Sequence, residues 1–230
     1  MTRTANFSSS EIWKLMTKDR KGTGFGAPAL TYIDEKRIER RLNRPLKTES
    51  NAKETNWGTF IERRVFDMLS IVYDLKSDVR YKHPTIDNWT GSPDLITETA
   101  VCDIKCPYTL KSFCTMVDSL NANTFKDDKP EYYWQLVSNA ILTDKNYAEI
   151  IIYVPYQQEL SEIREAANLY DGDQNKVAFL NWATDDELPY LIEGGFYKNI
   201  NTFTFKVPDE DKKELTAAVE RANILLNETT

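Results

Sequence analysis

The run Glu149–Val154 reads E-I-I-I-Y-V and is apolar nearly throughout. A strand of that kind has no face to give to water, so it belongs inside a sheet covered by other layers. Helical periodicity surrounds it. Asn51–Leu75 carries the longest helical pattern, with Phe60, Val65, Phe66, Leu69 and Val72 on its apolar face. Leu30–Leu42 reads as a charged helix burying Ile33, Ile38 and Leu42. Tyr132–Leu142, Leu160–Tyr170 and Asp209–Leu226 read as further helices, and Phe7–Met16 as a short one capped by a serine of Ser8-Ser9-Ser10. Lys18–Pro28 is a loop. Val79–Pro84, Trp89–Ile96 and Val101–Lys105 are extended, and Thr97-Glu98-Thr99 forms a hairpin turn between the last two. Phe203–Val207 reads as an edge strand. This order predicts one α/β domain over residues 1–230 with a mixed β-sheet. Its parts are a helical N-terminal region (about 1–75), a core (about 76–156) and a C-terminal extension (about 157–230).

Composition narrows the class. Hydrophobic residues make up 41% of the 230, enough for a substantial core. No stretch of about 18 apolar residues spans a membrane, and Met1–Ser10 does not read as a signal peptide. Three cysteines do not make a secreted disulfide framework, so a reducing cytoplasm is expected. The net charge of -7 is unevenly spread: +6 over residues 1–64, -3 over 65–130 and -10 over 131–230. A basic first third is suited to phosphate contacts, or is a solvated surface.

The chemistry concentrates in Gly91-Ser92-Pro93-Asp94 and Asp103-Ile104-Lys105. Alternation along a strand puts Asp103 and Lys105 on one side. The hairpin returns them beside Asp94. Two carboxylates brought together call for a cation. With oxygen ligands and neither His nor Cys required, a hard ion such as Mg²⁺ fits, and the Ile104 carbonyl is placed as a further ligand. This equipment suits phosphodiester hydrolysis. A metal polarises the phosphoryl oxygen and acidifies a water, and Lys105 orients that water and offsets developing charge. Glu62, on the long helix, could bind a second metal or its water, or be a solvated charge. Gln135 could position the attacking water, or be a surface amide.

His83 is the only histidine and reads as a surface residue at a strand end. Cys102, Cys106 and Cys114 lack the fourth partner an iron–sulfur cluster needs. Cys102 should face the core opposite Asp103. Tyr132, Tyr133 and Trp134 suit core packing or base stacking, and Trp89 is equally open.

Together, these residues resemble the PD-(D/E)XK nuclease superfamily, with Pro93-Asp94 and Asp103-Ile104-Lys105 as its signature. More narrowly the chain resembles the phage lambda exonuclease and YqaJ-type viral recombinase family. The words that carry this are Asn51-Ala52-Lys53, Trp57-Gly58 and Glu62; Ser92-Pro93-Asp94; Lys105-Cys106-Pro107-Tyr108-Thr109; and Gln135 followed by Thr143-Asp144-Lys145-Asn146. The likeness runs from about Ser8 to Tyr156.

The resemblance implies a restriction-endonuclease-like core, a central mixed β-sheet flanked by helices, with the site at the sheet's edge. It implies Mg²⁺-dependent (or Mn²⁺-substituted) degradation of the 5′ strand of duplex DNA ends. It assigns Asp94, Asp103 and the Ile104 carbonyl to metal, Lys105 and Gln135 to the nucleophilic water, and the helix-borne acidic role to Glu62. It further assigns Arg3, Ser8 and Ser10 to the DNA 5′-phosphate, which helix N-termini bind well; for the serines, plain helix capping stays open. A trimeric, ring-shaped homo-oligomer and a single-strand annealing partner in phage-type recombination also follow from the resemblance alone. An endonuclease of the same fold and a non-catalytic DNA-binding module remain the alternatives.

Overall fold

The computed structural model describes residues 5–46, 52–71, 73 and 79–228. Two sheets, not one, form the mixed α/β framework. In the first, β1 (Phe7–Ser8) runs parallel to β3 (Trp89–Gly91), and β2 (Tyr81–Lys82) runs antiparallel to it, giving the order β1-β3-β2. The second has the order β4-β5-β6-β7, formed by Leu95–Ile96, Ala100–Lys105, Tyr147–Tyr153 and Ile200–Lys206. Here β5 and β6 are parallel and the outer pairs antiparallel.

The apolar strand β6 lies inside this sheet, and from Ala148 to Tyr153 every residue is buried. The strand at its flank, β7, is an edge strand as its sequence suggests. The extended run Trp89–Ile96 is not one strand. It breaks at Ser92-Pro93-Asp94, and its halves join different sheets. Pro93 cannot donate to a ladder, so the break falls where the chain crosses between the sheets.

The helices are α1 (Ala27–Leu42), α2 (Lys53–Leu69), α3 (Leu110–Asp118), α4 (Phe125–Asp128) and α5 (Pro130–Thr143) before β6. After it come α6 (Leu160–Asn168), α7 (Gln174–Val177), α8 (Phe179–Trp182) and α9 (Asp209–Asn227). Proline at the first position starts α5, and Asp144 in the left-handed conformation (φ 55) ends it. The expected end of the long helix near Leu75, with Val72 on its face, falls outside the described residues, as does its start at Asn51.

Alternation along β5 and β6 divides the core in two. Val101, Ile150 and Ile152 face α5, α9 and the 3-10 helix Ser9–Met16. Cys102, Ile104, Ile151 and Tyr153 face α2, α6, α7 and α8. The sheet is therefore covered on both sides.

Two local expectations are corrected. Phe7–Met16 opens as a strand, because Phe7 and Ser8 pair with Trp89 and Thr90. In α1 the buried stripe is Ala29, Tyr32, Ile33, Lys36 and Glu39, leaving Ile38 and Leu42 exposed. A buried ion pair, Lys36 to Glu39 at 3.1 Å, continues that stripe in place of apolar residues. Glu39 also accepts from the Ala5 amide at 3.0 Å, which ties down the N-terminal segment. No helix among the described residues is long and apolar enough to cross a membrane.

Candidate active site

The site forms where β5 ends, between α2 on one face of the sheet and α5 on the other. Leu95 pairs with Cys102. Carried one residue back, that register sets Asp94 opposite Asp103. Asp94 Oδ2 accepts from the Ile104 amide at 2.7 Å. In an extended strand the N–H and C=O of one residue leave on the same side. The Ile104 carbonyl therefore points to the edge that Asp94 occupies.

Asp103 is 1% exposed. Its Oδ1 accepts from Gln135 Nε2 at 2.6 Å, so the α5 amide reaches the carboxylate directly. Its Oδ2 lies 2.5 Å from Lys105 Nζ. The approach lacks hydrogen-bond alignment, and Oδ2 has no hydrogen-bond partner. Lys105 Nζ also stands 5.5 Å from the centre of the Tyr132 ring. Burial works against the Lys105 ammonium, but Asp103 and Asp94 outweigh it and hold its pKa above the ordinary value. The Asp94 carboxyl is pushed up to about 9, first by burial and then by the carboxylates of Asp103 and Glu62.

These features fit a hard divalent cation. A buried carboxylate oxygen lacks a hydrogen-bond partner, and a neighbouring carboxyl would ionise far more readily beside positive charge. Among the described residues no three His, Cys, Asp or Glu side chains enclose an ion by themselves. The donor set is two carboxylates and a main-chain carbonyl. Glu62 shares with Asp94, Ile104 and Ser92 a cleft of about 560 Å³. It also lines a second cleft with Lys105 and Tyr132.

The structure places Ser8 at the N-cap of the 3-10 helix, but its hydroxyl makes no capping bond. Ser8 Oγ and Ser10 Oγ instead lie 3.2 Å apart. Ser9 turns inward to Ser138 at 2.8 Å. Arg3 lies outside the described residues.

Sequence reasoning missed Arg80, Thr90 and Ser92. Ser8 and Lys82 both pair with Thr90, and Tyr81 pairs with Gly91. That register sets Arg80 opposite Ser92. Cross-strand partners share a face, so Ser8 and Thr90 lie on one side, and Arg80 reaches Thr90 there; Ser92, at the break after β3, lines the cleft of Asp94 instead. Arg80 Nη2 lies 3.1 Å from Thr90 Oγ1. The signal was the strand character of Phe7–Ser8, which two residues cannot declare.

The remaining ambiguous residues are settled by packing. Tyr133 and Trp134 are buried and Tyr132 faces the site. Cys102 is buried as expected. Trp89 is buried, and its indole donates to Ser138 Oγ at 2.9 Å. His83 stacks on Trp89 at 4.7 Å, and its Nδ1 accepts from the Ile86 amide at 3.0 Å. It is a half-buried turn residue rather than a free surface one.

Fold and site together define an α/β protein with a carboxylate–lysine pair at the end of a mixed sheet. Solved structures of two exonucleases are among those that share that fold across nearly the whole chain. One is the alkaline exonuclease LHK-Exo from Laribacter hongkongensis, solved alone and in complex with dAMP. It matches with a TM-score of 0.65 at 17% identity, covering 97% of this chain and 89% of its own. Another is a phage-related exonuclease from Haemophilus somnus, with a TM-score of 0.62 at 16% identity over 98% and 96%. No family model and no curated protein matches the sequence. The likeness is one of fold.

Proposed function

We propose that this protein is a metal-dependent deoxyribonuclease with a restriction-endonuclease-like core, acting as an exonuclease on the 5′ strand of duplex DNA ends. The observation that carries the reading is the buried Asp103. One oxygen is held by Gln135, and the other lies against Lys105 with no hydrogen-bond partner. Such an arrangement prepares a carboxylate for a cation and leaves an ammonium beside it.

Asp94, Asp103 and the Ile104 carbonyl would hold Mg²⁺ or Mn²⁺. When bound, the ion supplies Lewis-acid polarisation of the phosphoryl group and a more acidic water. Lys105 sits within reach of the same oxygens and offsets charge gathering on the phosphate. Gln135 spends its N–H on Asp103, which leaves its carbonyl oxygen to orient a water hydrogen. Glu62 adds an acidic group from the α2 side.

The hydroxyls of Ser8, Ser10 and Ser92, with the Arg80 guanidinium anchored on the buried Thr90, would form a patch suited to a terminal phosphate. Arg is matched to phosphate by its planar fork of donors. Ser92 lies two residues from Asp94, so the patch adjoins the metal edge. Exonucleases share the fold, one of them in complex with dAMP, and a deoxynucleoside monophosphate is the unit that such cleavage would release. Gripping the end is what separates an exonuclease from an endonuclease.

The test is digestion of linear 5′-phosphorylated, linear 5′-hydroxyl and covalently closed duplexes, with Mg²⁺ or with EDTA. The expected result is mononucleotide release that favours the 5′-phosphate, spares the circle and stops in EDTA. Nicking of the circle would instead identify an endonuclease. DNA binding without cleavage would identify a non-catalytic module. Activity in EDTA would refute the metal mechanism.

A further inference from the structure

The C-terminal extension reaches the mouth of the same cleft. Tyr170, in the loop after α6, lines it together with Arg63 of α2, beside Glu62, Ser92, Asp94 and Ile104. The Tyr170 ring meets Phe60 edge-on at 5.5 Å and 90°. Two residues on, the backbone is cut to fit that ring: a Cβ at Gly172 would lie 2.6 Å from Tyr170 ring atoms. The ring is therefore seated by its surroundings, in the lining of the cleft that holds Asp94.

Arg63 Nη1 pairs with Asp171 Oδ1 at 3.1 Å, with the side chains 61% and 77% exposed. An ion pair so open to water is weak and readily exchanged. A backbone phosphodiester offers the guanidinium the same two-oxygen geometry at the same unit charge, and its neighbours along the strand add to the attraction. Residues 131–230 carry a net charge of -10, so this part of the chain has little to offer a phosphate. What it can offer a nucleic acid is an uncharged π-face, and Tyr170 is one. Base–aromatic stacking does not depend on sequence.

We propose that Arg63 and Tyr170 form a clamp that holds the DNA strand as it enters the metal edge. Arg63 takes a backbone phosphate and Tyr170 stacks on a base. Asp171 occupies Arg63 until the phosphate displaces it. The inference rests on the nuclease reading above and names how that site holds its substrate.

Binding of a fluorescent 5′-phosphorylated oligonucleotide, single-stranded and duplex, tests it by anisotropy, with Ca²⁺ replacing Mg²⁺. Arg63→Ala should weaken binding about 10-fold and lower the slope of log K against log salt by about one. Tyr170→Leu should weaken it about 10-fold with the slope unchanged, while Tyr170→Phe binds like the wild type. Asp171→Asn should tighten binding about three-fold, because the competitor for Arg63 is weakened. Melting temperatures near that of the wild type separate these effects from misfolding. Wild-type affinity and slope in Arg63→Ala, wild-type affinity in Tyr170→Leu, or weaker binding in Asp171→Asn would each overturn the clamp. If those variants match a wild type that binds and cuts DNA, only the clamp falls. If the wild type neither binds nor cuts DNA, the nuclease reading falls with it.

Discussion

Two ion pairs, one with Lys105 and one with Arg63 lining the two clefts that meet at Glu62, differ in almost every respect. Asp103–Lys105 is short, at 2.5 Å, with Asp103 buried. Arg63–Asp171 is longer, at 3.1 Å, and mostly in water. In the first, the Asp103 charge depends on its protein partners, because almost no water reaches it. In the second, water or another anion replaces either partner at little cost. The inner pair is suited to a fixed chemical task, and the outer one to a contact that is made and broken at each turnover.

Four expected outcomes would break or sharpen that contrast. The largest is at the inner pair. Asp103→Ala should lower Mg²⁺-dependent nucleotide release by about 10³-fold or more. Lys105→Ala should do likewise and also destabilise the metal-free protein by about 3–5 kcal/mol, because it strands a buried carboxylate. Urea denaturation with and without Mg²⁺ reads that cost. Full stability of Lys105→Ala without metal would show that the pair is not coupled as described.

Next comes Gln135→Ala, which should lower the turnover rate by about 10–100-fold with little change in KM for DNA. Gln135→Glu should be worse than Ala, because it sets a third carboxylate beside Asp103. Steady-state digestion of a labelled duplex separates kcat from KM.

The third concerns pH. The folded-state pKa of Asp94, about 9, lies above its ordinary 3.8. The folded protein therefore holds a proton there that the unfolded chain has released. Metal-free stability should fall as pH rises from about 4 towards 9. A divalent ion competes with that proton, so its stabilising effect should grow over the same window. Thermal melts at pH 6 and pH 9, with and without Mg²⁺, measure this. A metal-induced shift that stays flat with pH would argue against Asp94 as a ligand.

The smallest effect belongs to the outer pair. Arg63→Ala should change folding stability by no more than about 0.5–1 kcal/mol in urea. A larger loss would mean the exposed pair holds the C-terminal extension in place.

The inner half of this contrast was legible in the sequence. Two-residue alternation put Asp103 and Lys105 on one side, a turn at Thr97–Thr99 returned them to Asp94, and an apolar run declared β6. The outer half was not. Arg63 and Asp171 are 108 residues apart, and no local period connects them. Phe7 and Ser8 become a strand only because β3 lies alongside. Ile38 and Leu42 looked like a buried face, but a Lys–Glu pair took the inner stripe of α1. The single extended run Trp89–Ile96 hid a change of sheet, because both halves have the same local character. Gly91 likewise gave no hint that a Cβ there would lie 2.3 Å from Ser9 Oγ and 2.5 Å from Asn139 Oδ1.

The break at Ser92-Pro93-Asp94 has a consequence for how such a protein can diversify. The groups proposed for chemistry, apart from Glu62, fall on one continuous stretch from Asp94 to Gln135. The groups proposed to recognise DNA all lie outside it, at Ser8, Ser10, Arg63, Arg80, Ser92 and Tyr170. Except on α2, where Glu62 and Arg63 are neighbours, reaction and address are therefore written in separable segments. A designer could exchange the flanking segments to change which ends or strands are accepted while leaving the metal edge as it stands.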